Sequence, residues 1–299
     1  MNISDAALKC VAFIGVMKDG RFQPRATGFF VDWIEDQISL THLVTAEHVI
    51  AGLVRTNNDI FVRVNLLSDG VAEFQVDATE FRFHPNNAQE AADVAVMPFR
   101  ANALQDDQGN VVGIDTVSIA LNEKEDGFLP QEEFKRRHMG RGGQISIIGL
   151  FRSHFGQKRN VPIVRVGNIS MLPGEPVSTR AGDIKAYLVE ARSVGGLSGS
   201  PVFANADQGF ELSNALSKRT VCLQPMALLG MVHGHFDVKN LNEDVVTEDD
   251  RLRDGVHTGI AIVIPVEKIV ETINHPDLIE LRKKAVENLR SAGSDTSSQ

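Results

Sequence analysis

The stretch "SVGGLSGSPVF", residues 193–203, sets a serine among glycines between two apolar runs. Ser198 in such a loop could attack a carbonyl, because glycines let backbone N–H groups converge on the oxyanion that develops. The same composition also describes an ordinary turn, since Gly tolerates positive φ and Ser bonds to its own backbone. The nucleophile reading needs an imidazole base and a carboxylate to orient it. "HLVTAEHVI" supplies His48 at the end of an apolar run, and "AADVAVMPF" supplies Asp93 at the head of another. Taken singly, His48 reads as a packed or surface histidine and Asp93 as a capping or strand-initiating carboxylate. With Ser198 they make a set of the right chemical types for acyl transfer.

The elements that would have to position these residues read as strands. "KCVAFIGVM", "ATGFFVDWI", "SLTHLVTAEHVI", "IFVRVNL", "FQVDATEF" and "DVAVMPF" are short and rich in β-branched and aromatic residues. Turn signals such as "KDG", "NND" and "SDG" separate them, which predicts an all-β barrel or sandwich. "AEHVIAGL" has room for a short helical turn. The charged, glycine-ended stretch 121–143 reads as a linker. A second strand series follows, with "QISIIGLF", "VPIVRVGNISML", "IKAYLVEA", "SPVF", "VCLQPMALLGMVHG" and "TGIAIVIPV". An acid-rich stretch at 237–254 reads as an exposed loop. The apolar spacing of "VEKIVETI" and "PDLIELRKKAVENLR" changes to the helical period, and Pro276 with Asp277 suits a helix start. "SAGSDTSSQ" reads as a disordered tail.

The chain has 299 residues, 42% hydrophobic and 23% charged, with a net charge of −9. This is the composition of a globular protein of one large domain or two ordinary ones. The acidic balance argues against nucleic acid as the main ligand. No apolar run is long enough for a membrane helix, so membrane association is not expected. The apolar start from Ala6 to Met17 lacks a basic leader and reads as a first strand, with a cytoplasmic location expected. The two cysteines, Cys10 and Cys222, read as free buried thiols.

Several motifs, in order along the chain, resemble the serine peptidases of the chymotrypsin and trypsin type in their short bacterial form. "TGFFVD…HLVTAEHV" is similar to the family's strand, turn and TAxH signature, and "DVAVMPF" to its D-[IVL]-A-[LV] strand. "GLSGSPVF" resembles its G-x-S-G-[GS]-P-[LV]-[VF] segment, closest in style to the glutamyl endopeptidases. "LLGMVHG" and "VRVGNISM" resemble the cleft-lining strand and the strand after the interdomain region. The resemblance covers about residues 10 to 270. It implies two six-stranded antiparallel β-barrels with the site in the crevice between them and C-terminal α-helices. The first barrel, residues 1–120, would carry His48 and Asp93. After the linker 121–143, the second, residues 144–265, would carry Ser198. Helices would follow at 266–290 and a tail at 291–299. The implied activity is a serine endopeptidase acting on proteins or peptides without a cofactor. Ser198 would be the nucleophile, His48 the general base, and Asp93 the orienting carboxylate. The N–H groups of Gly196 and Ser198 would form the oxyanion hole.

One departure matters. In the trypsin branch an aspartate precedes the nucleophile and pairs with a newly cut N-terminus, whereas this chain has Leu197. That keeps a second reading open, a catalytically degenerate fold acting as a peptide- or protein-binding module. The resemblance also implies either Arg192 at the base of the primary pocket, with His233 or His235 on its wall, or an outward Arg192 paired with Glu190 or solvent. The first arrangement would favour an acidic or small uncharged residue on the acyl side of the cut bond. His233 and His235 lie two apart and would share a face of a regular strand, but no third residue at ligand spacing accompanies them, so no metal site is expected.

Overall fold

The computed structural model describes residues 3–35, 38–86, 91–100, 111, 113–122, 130–133, 139–179, 182–191, 195–205, 220–221, 226–240, 243–247 and 256–295. A single helical turn, α1 (Asp5–Leu8), precedes the first strand, and the Ser4 hydroxyl accepts the Ala7 N–H at its N-terminus. The strand expected from Ala6 therefore begins only at Val11. The first series comprises β1 (Val11–Lys18), β2 (Arg21–Glu35), β3 (Ile38–Thr45), β4 (Ile60–Asn65), β5 (Val71–Val76), β6 (Arg82–Phe83), β7 (Ala95–Pro98) and β8 (Ser118–Asn122), with helix α2 (Glu47–Arg55) between β3 and β4. The second comprises β9 (Gln144–Gly149), β10 (Ile163–Met171), β11 (Val177–Thr179), β12 (Gly182–Ile184), β13 (Tyr187–Glu190), β14 (Pro201–Asn205), β15 (Thr220–Val221), β16 (Met226–Asn240), β17 (Glu243–Thr247) and β18 (Val256–Pro265). Helices α3 (Val266–Ile273) and α4 (Pro276–Asp295) end the chain.

The second series closes into a six-stranded barrel in the order β14-β9-β10-β13-β18-β16, sealed by the pairing of β14 with β16. The first series, joined by β15, forms a nine-stranded sheet in which β5-β4-β1-β2-β3-β7-β6 follow one another, β8 pairs with β2 and β15 pairs with β8. One of the two expected barrels is thus closed, and closure of the second is not shown among the described residues. Among the described residues no ladder joins β5 to β6, although only the segment Asp77–Phe81 separates them in the chain. The seam stays open because that segment coils into a short 3₁₀ turn, with the Asp77 carboxylate accepting the Thr79 N–H at 2.8 Å. The chain turns at the seam instead of extending a strand along it, and β6 is left with two residues. The antiparallel pattern is also broken where β8 pairs parallel with β2, and β15 with β8.

Alternation along the strands explains why they read as nearly continuous apolar runs. Ala12, Ile14 and Val16 of β1 face the interior of the first sheet with Ile50 and Leu53 of α2, while Val11 and Phe13 face the layer between the sheets. Both faces are buried, so neither needs polar residues. Ile145, Ile147, Val189, Val202 and Leu229 fill the closed barrel. Arg63 ties the two halves together. Its guanidinium donates to Asn160 Oδ1 at 2.6 Å and to the Gln157 carbonyl at 2.8 Å, and lies over the Phe155 ring.

Helices α3 and α4 return to the first sheet. Val266, Ile269, Ile273 and Leu278 are buried, and Arg282 donates to Asn274 Oδ1 at 2.7 Å while lying over the Trp33 ring. Helix α4 runs through Asp295, so the tail expected from residue 291 is helical over its first part and outside the described residues from 296. The expected linker is described at 121–122, 130–133 and 139–143, where the Gln131 N–H donates to Glu267 Oε1 on α3 at 2.7 Å. The acid-rich stretch is partly described. Residues 237–240 continue β16 and 243–247 form β17, strands instead of the loop expected there. Cys10 is a buried free thiol whose pKa burial pushes up to about 12, and Cys222 lies outside the described residues. Among the described residues no helix is long and apolar enough to cross a membrane.

Candidate active site

Helix α2 starts without a cap of its own, since Ala46 has no side-chain hydrogen bond to offer. Its first N–H groups need acceptors from elsewhere. Asp93, just before β7, supplies them. Its carbonyl accepts the Glu47 N–H at 3.3 Å and its Oδ1 accepts the His48 N–H at 2.8 Å. The same carboxylate takes the His48 ring through Oδ2, 2.9 Å from Nδ1. An ionised carboxylate can only accept, so the geometry assigns the proton of a neutral ring to Nδ1 and makes Nε2 its basic nitrogen. Asp93 adopts φ 47°, an uncommon conformation for a residue with a side chain, and these bonds hold it there.

A second histidine meets the same oxygen. His233 sits where β16 shifts register between Val232 and Gly234, and its Nδ1 is hydrogen-bonded to Asp93 Oδ2. Its ring is fully buried and stands edge-on to that of His48, with centroids 5.3 Å apart. Burial is the largest influence on the Asp93 carboxyl and would raise its pKa. The charges and hydrogen bonds of His48 and His233 outweigh it and hold the carboxyl well below the usual carboxylate range. The three side chains are close enough to gather around one ion. Both Nδ1 atoms instead converge on one carboxylate oxygen at hydrogen-bonding distance.

The loop that carries Ser198 is fixed from three directions. The Thr27 hydroxyl in β2 donates to the Gly196 carbonyl at 2.8 Å and accepts the Leu150 N–H at 2.9 Å. The Thr27 N–H donates to the Ser198 carbonyl at 3.0 Å, and the Thr45 hydroxyl donates to the Thr27 carbonyl at 2.8 Å. Behind the loop, the Ser200 N–H donates to the Leu197 carbonyl and the Gly199 N–H to the Val232 carbonyl, both at 2.9 Å. Gly199 has φ 81°, and a Cβ there would stand 2.1 Å from the Thr27 carbonyl oxygen, so only glycine fits. Gly196 has φ 101°. Leu197 is buried among the residues that fill the closed barrel, an apolar anchor where a charged residue would have no water. Ser198 is half-buried, and its hydroxyl donates to the His233 carbonyl at 3.2 Å. Among the described residues it makes no hydrogen bond to His48.

The structure thus brings His48 and Asp93 into direct contact and joins Ser198 to them through His233. His233, expected on a pocket wall, is buried beneath Asp93 because the irregularity in β16 breaks the strand's alternation. His235 is half-buried on β16. Arg192 lies outside the described residues, as does Ser193. Ser200, the other hydroxyl of the motif, is fully buried, with no hydrogen-bond partner for its Oγ among the described residues. Sequence reasoning missed Thr27 and the bond from His233 to Asp93. Thr27 lay inside the quoted "TGFF" motif, which was its one visible signal.

Comparison with known proteins agrees with this architecture. No family model and no curated protein matches the sequence. Among solved structures, the protease domain of MamO from Magnetospirillum magneticum, without ligand, superimposes with a TM-score of 0.52 at 13% identity, covering 91% of this chain and 99% of that one. Deg5 is matched at a TM-score of 0.48 and 13% identity, over 89% of this chain and 87% of that one. The chain has the chymotrypsin-type fold of trypsin-like serine protease domains.

Proposed function

We propose that the protein is a serine-type endopeptidase that hydrolyses peptide bonds in a protein or peptide substrate, with Ser198, His48 and Asp93 as its catalytic residues. The observation that carries this reading is the double contact of Asp93 with His48, through the backbone N–H at 2.8 Å and the ring Nδ1 at 2.9 Å. It fixes the imidazole in the tautomer that a general base requires. In the proposed cycle the Ser198 hydroxyl leaves the His233 carbonyl, gives its proton to His48 Nε2 and attacks the substrate carbonyl. The N–H groups of Gly196 and Ser198 receive the oxyanion. The tetrahedral intermediate collapses as His48 protonates the departing amine. Water, activated by the same imidazole, then releases the acyl group from Ser198. The two sheets act as the two halves of the double-barrel arrangement, the first opened at its seam, with the site where they meet.

The parked Ser198 hydroxyl favours the second reading, a peptide-binding module without turnover. Incubation with casein and with a mixed peptide library separates the two. Cleavage by the wild-type protein that disappears in Ser198→Ala supports the hydrolase. Retention of peptides without any cleavage supports the module and overturns the hydrolase.

A further inference from the structure

We propose that His233 is a positioning residue that governs both ends of the site: its imidazole shares Asp93 Oδ2 with His48, and its backbone carbonyl holds the Ser198 hydroxyl. The proposal rests on the hydrolase reading for its consequence in catalysis. The contacts themselves stand apart from that reading.

A buried carboxylate distributes one negative charge over the donors that reach it. Oδ1 serves the His48 backbone N–H, while Oδ2 is divided between the two Nδ1 atoms. Each donor takes a share of the charge, so the second imidazole weakens the attraction of Asp93 for a protonated His48. His233 therefore keeps His48 less basic than a lone His–Asp pair would, and keeps it in the neutral form that can accept a proton. Among the described residues, the titratable groups in contact with the His233 ring include Asp93, ahead of β7, and His48, on α2. The β18 residues paired beside it, Ile262 and Val263, are buried and uncharged, and His235 lies two residues on in its own strand. The Ser198 hydroxyl faces the His233 backbone, so a shift of β16 at this point moves the nucleophile and the carboxylate together.

A merely structural histidine would fill space and leave the His48 titration alone. Two substitutions separate the roles. His233→Phe fills the site without a donor, whereas His233→Asn places an amide N–H near the position of Nδ1. The His48 ring titration, followed by nuclear magnetic resonance, should move up by about one pH unit in His233→Phe and return toward the wild-type value in His233→Asn. A matching upward move of the acid limb of fluorophosphonate labelling should accompany it. An unmoved His48 titration in folded His233→Phe, or failure of His233→Asn to restore it, overturns the proposal. Nitrogen-15 imidazole spectra of the wild-type protein test it without any variant. His233 must carry its proton on Nδ1, and an unprotonated Nδ1 overturns the proposal even where His233→Phe does not fold. If the wild-type protein never labels, the hydrolase reading fails, while the His48 titration still decides the role of His233.

Discussion

Asp93 binds His48 twice, taking its backbone N–H on one carboxylate oxygen at 2.8 Å and its ring on the other at 2.9 Å. One side chain thus caps helix α2 and orients the imidazole that the helix carries. The two tasks separate under mutation. Asp93→Asn keeps an oxygen for the His48 N–H but spoils the ring contact. It should stay folded and lose roughly 10⁴ in turnover. Asp93→Ala removes both contacts and leaves buried donors unpaired. It should also lose about 1–3 kcal/mol of stability. Turnover measured beside denaturant midpoints checks this, and equal midpoints for the two variants contradict the capping role.

His42 predicts a loss of stability in mild acid. Burial chiefly, and the Arg282 charge after it, hold its pKa down at about 4, against opposing influences from the Leu40 backbone and Asp32. The unfolded chain takes up this proton near a pKa of about 6.5, so it binds more protons than the folded chain below that pH. The stability present above that value should therefore drain as the pH falls from about 6.5 to about 4. Urea midpoints across this range should fall more steeply for the wild-type protein than for His42→Leu. Parallel profiles would show that His42 is not the group involved.

Gly199 and Gly20 both have positive φ, at 81° and 70°, yet only one has no room for a side chain. Gly20 follows Asp19, also at positive φ, in an exposed hairpin turn, and a Cβ there would meet nothing within 4 Å. Gly20→Ala should cost about 1 kcal/mol and leave activity intact. Gly199→Ala would drive a Cβ into the Thr27 carbonyl, so it should disorganise the nucleophile loop and abolish turnover. Similar activities for the two variants would show that the loop tolerates displacement.

Much of this was visible in the sequence, for reasons particular residues make clear. His48, Asp93 and Ser198 each sit in a short local motif, and strands with two buried faces announce themselves as apolar runs. What stayed hidden depends on long-range geometry. His233 reaches Asp93 across 140 residues from a register shift in β16, and a register shift has no signature in a lone sequence. The open seam between β5 and β6 follows from one turn at Asp77–Phe81, inside a segment whose residues read as strand. Asp93 was legible as a capping or an orienting carboxylate only as alternatives, whereas its side chain contacts both the His48 N–H and the His48 ring.

Leu197, in the loop that carries Ser198, is fully buried among the residues that fill the closed barrel and anchors the loop there. Leu197→Met should retain most of the stability and turnover, because a similar volume fills the barrel. Leu197→Asp would place a carboxylate among Ile145, Ile147 and Val202, and should unfold the loop or the barrel, with turnover lost. An active, stable Leu197→Asp protein would show that the anchor is not apolar packing.

Ser198, neighbour to the buried Ser200, should attack carbonyl-type electrophiles with the help of His48. Mass spectrometry of the protein after treatment with a fluorophosphonate measures this directly. One adduct is expected, on Ser198, absent from Ser198→Ala and strongly reduced in His48→Ala, with turnover in each variant down by on the order of 10⁶. Ser200→Ala should label as the wild-type protein does. An adduct on Ser200 or Ser193, labelling that persists in Ser198→Ala, or no labelling of the intact wild-type protein would show that Ser198 is not an activated nucleophile.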